Sequence, residues 1–189
     1  VRGPPGCAGM IPPQFDYVRA TSVEHALELL AEHGDDAKIL AGGHSLLPMM
    51  KIRLANPAVL IDIARIPDLS YVREEGDTLA IGALTKHAMV SSDALVLANA
   101  PLLAHSAAQV GDPQIRNRGT LGGSLVHGDP AADLPMAVTA LDVTLVVAGP
   151  SGRREIAVED FFEGYFQTAV GEDELLVEVR VPSRPGIGE

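Results

Sequence analysis

Two short glycine-rich segments, AGGHS at residues 41–45 and TLGGS at residues 120–124, decide how this sequence is interpreted. Neither contains a side chain large enough to keep a ligand from the backbone, and the N–H groups of glycine turns bind anions. Two such segments in one chain predict a diphosphate held between them. Because the formal net charge is -11, local donors must meet an anionic ligand in place of an overall positive field.

The composition excludes several classes of partner. No apolar run approaches the roughly 20 residues that a membrane helix needs, so no membrane span is expected. Acidic residues outnumber basic ones by 25 to 14 and only 4% of residues are aromatic, which argues against a nucleic-acid surface. The familiar P-loop and Rossmann glycine motifs are also absent from the sequence.

The cysteine and histidine residues predict no metal centre in this chain. Cys7 is the only cysteine, so the chain can form neither an internal disulfide nor a cysteine-ligated iron-sulfur cluster. The six histidines lack metal-ligand spacing with acidic or thiol partners. These features favour an intracellular, cytoplasmic protein. Residues 1–9, rich in glycine and proline, are interpreted as a disordered extension.

The N-terminal part, residues 10–66, is predicted to be a βαβ-like subdomain. Thr21 and Glu24 have the spacing of a capping box, which predicts a helix that ends near Gly34. Two short apolar runs, residues 38–41 and 58–63, are typical of strands. Because the first glycine segment and a helical segment separate these runs, we expect them to pair in parallel.

A second subdomain is predicted over residues 67–182, followed by a C-terminal tail at residues 183–189. Asp129 and Pro130 resemble the N-cap and first residue of a helix that runs to about Leu141. The segment LLVEVRV, residues 175–181, alternates like a half-buried strand. Other strands are predicted at residues 78–82 and 142–147, and a helix at residues 101–110.

Three stretches carry a resemblance to a known family: AGGHSLLPMMKIRLANPAVLIDIARI, IGALTKHAMV and GDPQIRNRGTLGGSLVHGDPAADLPMAVTALDVTLVV. They resemble the FAD-binding medium subunit of molybdenum hydroxylases, as in carbon monoxide dehydrogenase, and the flavin domain of xanthine dehydrogenases. The resemblance covers nearly all of residues 10–182. It implies an α+β fold, the two-subdomain FAD-binding fold of the vanillyl-alcohol oxidase or PCMH type, with FAD between the subdomains.

The resemblance also implies which residues contact the cofactor. The diphosphate is expected to meet both glycine segments, and further contacts are expected at one lysine, one aspartate and two leucines. Arg116 and Arg118, beside the second segment, are interpreted as solvated side chains and are left out of the predicted site. The predicted FAD-binding residues are Lys38, Ala41, Gly42, Gly43, His44, Ser45, Thr120, Gly122, Gly123, Ser124, Asp133, Leu175 and Leu176.

The function implied by the resemblance is electron transfer through non-covalently bound FAD. Molybdopterin would be carried by a large partner subunit and iron-sulfur clusters by a small one, and electrons would pass through FAD to an external acceptor. No residue of this chain is assigned a catalytic role. Family members continue past the strand at residues 175–181 into a further C-terminal segment, so the chain is interpreted as truncated or naturally short.

Two other functions stay open at the level of sequence. A self-sufficient oxidase could carry flavin covalently at His44, as a Gly-Gly-His segment does in berberine-bridge-type oxidases. The residues around His44 resemble the molybdenum hydroxylases more closely, which favours a role as a loop donor. Alternatively, the chain could be a non-redox remnant that kept the fold and lost the flavin.

Overall fold

The computed structural model describes residues 11–183. The predicted extension at residues 1–9, and all of the predicted tail after Ser183, lie outside the described residues. The helices are α1 Val23–His33, α2 Leu46–Lys51, α3 His87–Val90, α4 Ala94–Asn99, α5 Pro101–Gln109, α6 Pro113–Arg116, α7 Leu121–His127, α8 Asp133–Ala140 and α9 Val158–Phe161. The strands are β1 Asp16–Arg19, β2 Ala37–Leu40, β3 Val59–Asp62, β4 Val72–Glu75, β5 Thr78–Gly82, β6 Thr144–Gly149, β7 Gly152–Ala157, β8 Phe162–Gly164, β9 Gln167–Thr168 and β10 Leu175–Pro182.

The first sheet is a three-stranded parallel sheet in the order β1-β3-β2. Its parallel pairing of β2 with β3 was expected from the βαβ-like pattern and is confirmed. The start of α1 differs from the prediction by one residue. Ser22 is the N-cap, because its side-chain oxygen accepts a 3.1 Å hydrogen bond from the N–H of His25. The hydroxyl oxygen of Thr21 instead lies 3.1 Å from Nδ1 of His25.

The second sheet is antiparallel, with five strands in the order β4-β5-β10-β6-β7. β10 pairs on one side with β5 and on the other with β6, so it is the central strand. The prediction that this segment is half-buried was wrong, because residues 175–179 are all buried. Because this central strand is covered on both faces, even its polar residue Glu178 is buried.

Two predicted elements near the second glycine segment also differ from the structure. TLGGS is not the glycine turn that its composition predicts: Thr120 is the N-cap of α7, and the residues after it form the first helical turn. Asp129 and Pro130 do not open a helix, since the side chain of Asp129 caps a turn by accepting a hydrogen bond from the N–H of Ala131. Helix α8 begins later, with Pro135 in its first turn, where proline has no intrahelical donor to lose.

The hydrophobic core consists of two clusters, one on each face of the second sheet. One cluster packs that sheet against α5, α7 and α8. The other joins it to α1 and the first sheet, and takes in Val146, Leu175 and Val177 from the second sheet. All strands of the first sheet precede Pro67 and all strands of the second sheet follow it. The division into subdomains at this residue stays a prediction.

The fold class predicted from the sequence, α+β, is confirmed by these sheets and helices. Within residues 11–183, no helix is long and apolar enough to cross a membrane.

Candidate functional site

The first glycine segment connects β2 to α2 and holds a row of unused backbone donors. Gly43 has a φ of 78°, in the left-handed region that glycine adopts without strain. Among residues 11–183, none accepts a hydrogen bond from the N–H groups of Gly42, Gly43, His44 or Ser45. Ser45 is the N-cap of α2, and its hydroxyl makes no capping bond. This segment therefore offers several donors to a ligand.

The second glycine segment differs, because most of its backbone donors are already paired. The N–H groups of Leu121 and Gly122 donate to the carbonyl oxygens of Thr85 and Ala83, at 2.9 and 2.8 Å. The N–H of Gly123 donates to the side-chain oxygen of Thr120, which caps the helix. These bonds fix the start of α7 against the residues that follow β5. The second segment therefore positions the helix and offers few free N–H groups to a ligand.

Contact between the two segments is close. A Cβ atom on Gly42 would lie 2.5 Å from the carbonyl oxygen of Arg118 and 2.8 Å from Cα of Gly119. A Cβ atom on Gly123 would lie 3.8 Å from Cβ of Ala41. The first segment thus approaches the second through glycine backbone. Glycine at residue 42 is required by this packing of main chain against main chain.

Gly122 has a structural role that the sequence does not reveal. A Cβ atom there would lie 2.6 Å from Cβ of Ala83 and 2.8 Å from its carbonyl oxygen. Gly122 is buried, whereas Gly123 is exposed beside the first segment. The absence of a side chain at residue 122 therefore serves the packing of α7 on the residue after β5.

His87 is buried beside the two glycine segments, a position that the sequence analysis missed. It is only 4% exposed, and a Cβ atom on Gly119 would lie 2.7 Å from its ring. Burial, together with the nearby charge of His44, lowers the pKa of His87 to about 4, so the imidazole is neutral at pH 7. Its position within IGALTKHAMV carries no signal of this contact, because Gly119 is far away along the chain.

The other predicted site residues lie in varied surroundings. Lys38 is exposed on β2, and Asp133 is exposed at the start of α8, which packs against α7. Leu175 and Leu176 are buried on β10, one in each core cluster, so both have core packing roles. Arg116 is not simply solvated, since its guanidinium donates to the carbonyl oxygens of Val110 and Gly111.

Three basic residues lie next to the glycine segments, either along the chain or across a β-bridge. Lys38 is within β2, Lys86 forms a β-bridge with Thr120, and Arg118 meets Gly42 through its carbonyl group. All three side chains are exposed, and none forms an ion pair within the part of the chain that the structure describes. They supply local positive charge in an acidic protein.

These features fit the diphosphate of a dinucleotide. Phosphate oxygens accept hydrogen bonds from successive backbone N–H groups in glycine turns, which the first segment leaves unpaired. The hydroxyls of Ser45 and Ser124 also have no hydrogen-bond partner among residues 11–183. Across those same residues, no three His, Cys, Asp or Glu side chains come together as a metal site.

A protein-family model for the FAD binding domain in molybdopterin dehydrogenase matches residues 13–184. The chain belongs to this family. The match takes in both glycine segments, both sheets and the whole of β10. It confirms the resemblance found in the sequence and the assignment to an FAD-binding fold.

Two curated relatives are similar to this FAD-binding domain over most of its length. The carbon monoxide dehydrogenase medium chain of Hydrogenophaga pseudoflava is 51% identical over 174 residues, which are 92% of this chain and 61% of the relative. The 6-hydroxypseudooxynicotine dehydrogenase complex subunit alpha of Paenarthrobacter nicotinovorans is 48% identical over 176 residues, which are 93% and 60%. The chain therefore spans about three fifths of the length of these relatives.

A solved structure agrees with this family assignment. Carbon monoxide dehydrogenase from Hydrogenophaga pseudoflava, in a form that lacks the Mo-pyranopterin moiety of its molybdenum cofactor, superimposes with a TM-score of 0.92 at 50% identity. The similarity covers 94% of this chain and 62% of that chain. The FAD-binding domain thus shares its fold with a subunit of a dehydrogenase.

Proposed function

We propose that this chain binds FAD non-covalently and passes electrons within a molybdenum hydroxylase complex. The observation that carries the proposal is the row of unpaired N–H groups at residues 42–45, set against the start of α7. When bound, the flavin supplies the redox chemistry. The chain's own residues bind the cofactor, orient it and leave it accessible to its electron donor and acceptor.

In the proposed site the first glycine segment is the main anion-binding element. Ala41, Gly42, Gly43, His44 and Ser45 would surround the diphosphate and donate backbone hydrogen bonds to it. The hydroxyl of Ser45 would add a donor that carries no charge. Lys38 would contribute positive charge from the neighbouring strand.

The second glycine segment is the opposite wall of the proposed site. Thr120 and Gly122 would hold the start of α7 in place, while Gly123 and Ser124 would face the ligand. The positive end of the helix dipole also favours an anion there, by about 0.3–1 kcal/mol. Asp133 would bind polar groups of the cofactor from α8. This division of roles follows from the burial of Gly122 and the exposure of Gly123.

Leu175 and Leu176 are proposed to pack near the isoalloxazine ring. Both side chains are at most 5% exposed, so any contact with the ring would be made by the edge of a packed core. Because the two side chains lie on opposite faces of the second sheet, only one of them can face the ring, while the other would hold β10 in place. No side chain is needed as a general acid, base or nucleophile.

Release of the cofactor by acid tests both its identity and its attachment. We expect that acid precipitation of the flavin-loaded protein leaves the yellow colour in the supernatant and that the released flavin chromatographs as FAD. FMN, with one phosphate, would use only part of the two-segment site. Colour retained in the pellet of the parent, but not of His44→Ala, would establish the covalent oxidase instead. Recovery of FMN alone would contradict the FAD assignment.

The partners in the proposal come from the relatives' names, which describe a medium chain and a subunit of a dehydrogenase complex. We propose a large subunit with molybdopterin and a small subunit with iron-sulfur clusters, in the cytoplasm. Electrons would pass from the clusters to FAD and then to an external acceptor. Such a chain needs no cluster of its own, consistent with a single cysteine.

Purification of the native protein from its source tests the proposed complex. We expect two further polypeptides to co-purify in constant ratio, one releasing molybdopterin and the other containing iron and acid-labile sulfide. A flavin-loaded chain that purifies alone and consumes dioxygen with a substrate would support the self-sufficient oxidase. A chain that purifies alone and without flavin would support the non-redox remnant.

A further inference from the structure

His87 is a buried histidine to which the proposed function assigns no role. Its backbone N–H donates a 3.1 Å hydrogen bond to the carbonyl oxygen of Gly119, and its imidazole lies against the same glycine. A Cβ atom on Gly119 would be 2.7 Å from Cδ2 and 2.8 Å from Nε2 of the ring. Gly119 in turn packs on Gly42, so His87 lies next to the junction of the two glycine segments.

The two ring nitrogens of His87 have different surroundings. Nδ1 is fully buried and has no hydrogen-bond partner in the part of the chain that the structure describes. A proton on Nδ1 would be a buried, unpaired donor, which costs about 1–3 kcal/mol. Buried donors without a partner are rarer in proteins than under-satisfied acceptors. The neutral ring therefore carries its proton on Nε2, the nitrogen that lies against Gly119.

We propose that His87 is an FAD-binding residue, and that its Nε2–H donates a hydrogen bond to an oxygen of the cofactor at the junction of the two glycine segments. This inference rests on the proposed function. A neutral donor suits the position, because an imidazolium held there would have to be buried without a counter-ion. The exposed side chain of His44, on the opposite segment, adds a second imidazole to the same junction.

Nitrogen NMR of the full chain, labelled with ¹⁵N-histidine, tests the inference without any substitution in the protein under study. Long-range ¹H–¹⁵N correlations at pH 7 should show His87 as the Nε2–H tautomer. FAD is then added until flavin fluorescence shows that the site is saturated. The bound FAD should shift the Nε2 signal and leave Nδ1 unprotonated. The His87→Gln spectrum assigns the signals. If FAD binds and the His87 nitrogens do not shift, the inference is wrong while the proposed function stands.

A pair of substitutions provides an independent measurement. In His87→Gln the side-chain amide nitrogen can reach the position of Nε2, whereas in His87→Asn it reaches only the position of Nδ1. We expect the FAD dissociation constant to stay within about threefold of the parent in the Gln variant and to rise about tenfold in the Asn variant, as for one lost hydrogen bond. Equal constants in both variants would overturn the assignment to Nε2.

FAD binding by the parent protein distinguishes failure of the proposed function from failure of the role of His87. If the parent binds no FAD at all, in the native complex or after reconstitution, the proposed function fails and the role of His87 fails with it. If the parent binds FAD, the NMR shift decides the role of His87 alone. A lower unfolding temperature of either apo variant would not affect that spectrum, because it is recorded on the parent.

Discussion

Replacing Ser45 with Asp should reduce FAD affinity by at least about 100-fold without destabilising the apo protein. Ser45 is the N-cap of α2, and Asp is among the preferred N-cap residues. The new carboxylate would compete for the free N–H groups of the first glycine segment and repel the diphosphate. At an effective dielectric constant of 20, two unit charges 4 Å apart repel by about 4 kcal/mol, and each 1.4 kcal/mol is tenfold in affinity.

Ser45→Asn is the matched control for that prediction. Asn has nearly the same shape as Asp and the same N-cap preference, but it carries no charge. Titration with FAD should give a dissociation constant within about fivefold of the parent for Asn and at least about 100-fold higher for Asp. Thermal unfolding of the two apo variants should agree within a few degrees. Equal FAD affinities would show that no diphosphate lies near this segment.

The choice of Ser45 follows from what the structure adds to the sequence. Glycine substitutions are the direct test of a glycine-rich site, but a Cβ on Gly42 would collide with backbone and a Cβ on Gly122 would collide with Ala83. Loss of FAD in such variants would not separate binding from folding. Ser45 already carries a Cβ atom, and its hydroxyl is unpaired among residues 11–183.

Local patterns in the sequence predict several elements well. The parallel pairing of β2 with β3 follows from the apolar runs on either side of a glycine turn and a helix, and α5 is found where a helix is predicted, at residues 101–110. The family resemblance adds the fold class. Both rest on short-range signals, or on motifs whose order and spacing along the chain are specific.

The features missed by sequence analysis depend on contacts between distant residues. Asp129 and Pro130 match a helix start, but the structure delays α8 until Pro135 falls in its first turn. β10 alternates like a half-buried strand, and only the sheet order shows that it is central. The contact of His87 with Gly119 has no sequence signal at all. Tertiary packing decides each of these cases.

The central strand β10 carries a buried carboxylate whose partners come from β4, from the loop before β4 and from β10 itself. Glu178 is 3% exposed and accepts hydrogen bonds from the hydroxyl of Tyr71 at 2.5 Å and from Nε of Arg180 at 2.6 Å. Nη2 of Arg73 lies 3.2 Å from Oε2 of Glu178, and Arg180 also forms an ion pair with Glu155 on β7. The network therefore ties β10 to both halves of the second sheet.

The pKa of Glu178 reflects a competition within this network. Burial acts to raise the pKa of the carboxyl group, but hydrogen bonds from Tyr71 and Arg180 and the charges of Arg180 and Arg73 outweigh it, so the pKa lies below the ordinary value of 4.5. A carboxyl group with a lowered pKa in the folded state stabilises the fold above its unfolded pKa. That contribution is lost as the pH falls through the folded value.

Glu178→Gln should therefore lower the free energy of unfolding by about 2–3 kcal/mol at pH 7, as expected for the loss of charge-assisted hydrogen bonds. The isosteric side chain leaves no cavity, so the loss reports on the charge. Urea unfolding at several pH values should show a constant difference from the parent above about pH 6. The difference should shrink below 4.5, where the carboxyl group of residue 178 takes up a proton in the unfolded parent before it does so in the folded one.

Glu155→Gln is the control that separates the buried carboxylate from the ion pairs around it. Glu155 pairs with the same arginine, Arg180, but its side chain is 59% exposed, and an exposed ion pair contributes about 0–1 kcal/mol. We expect its substitution to change the free energy of unfolding by less than 1 kcal/mol and to leave the acid dependence of the parent intact. If both variants lost the same amount, the stabilisation would come from surface charge on the sheet, and the burial of Glu178 on the central strand would contribute nothing of its own.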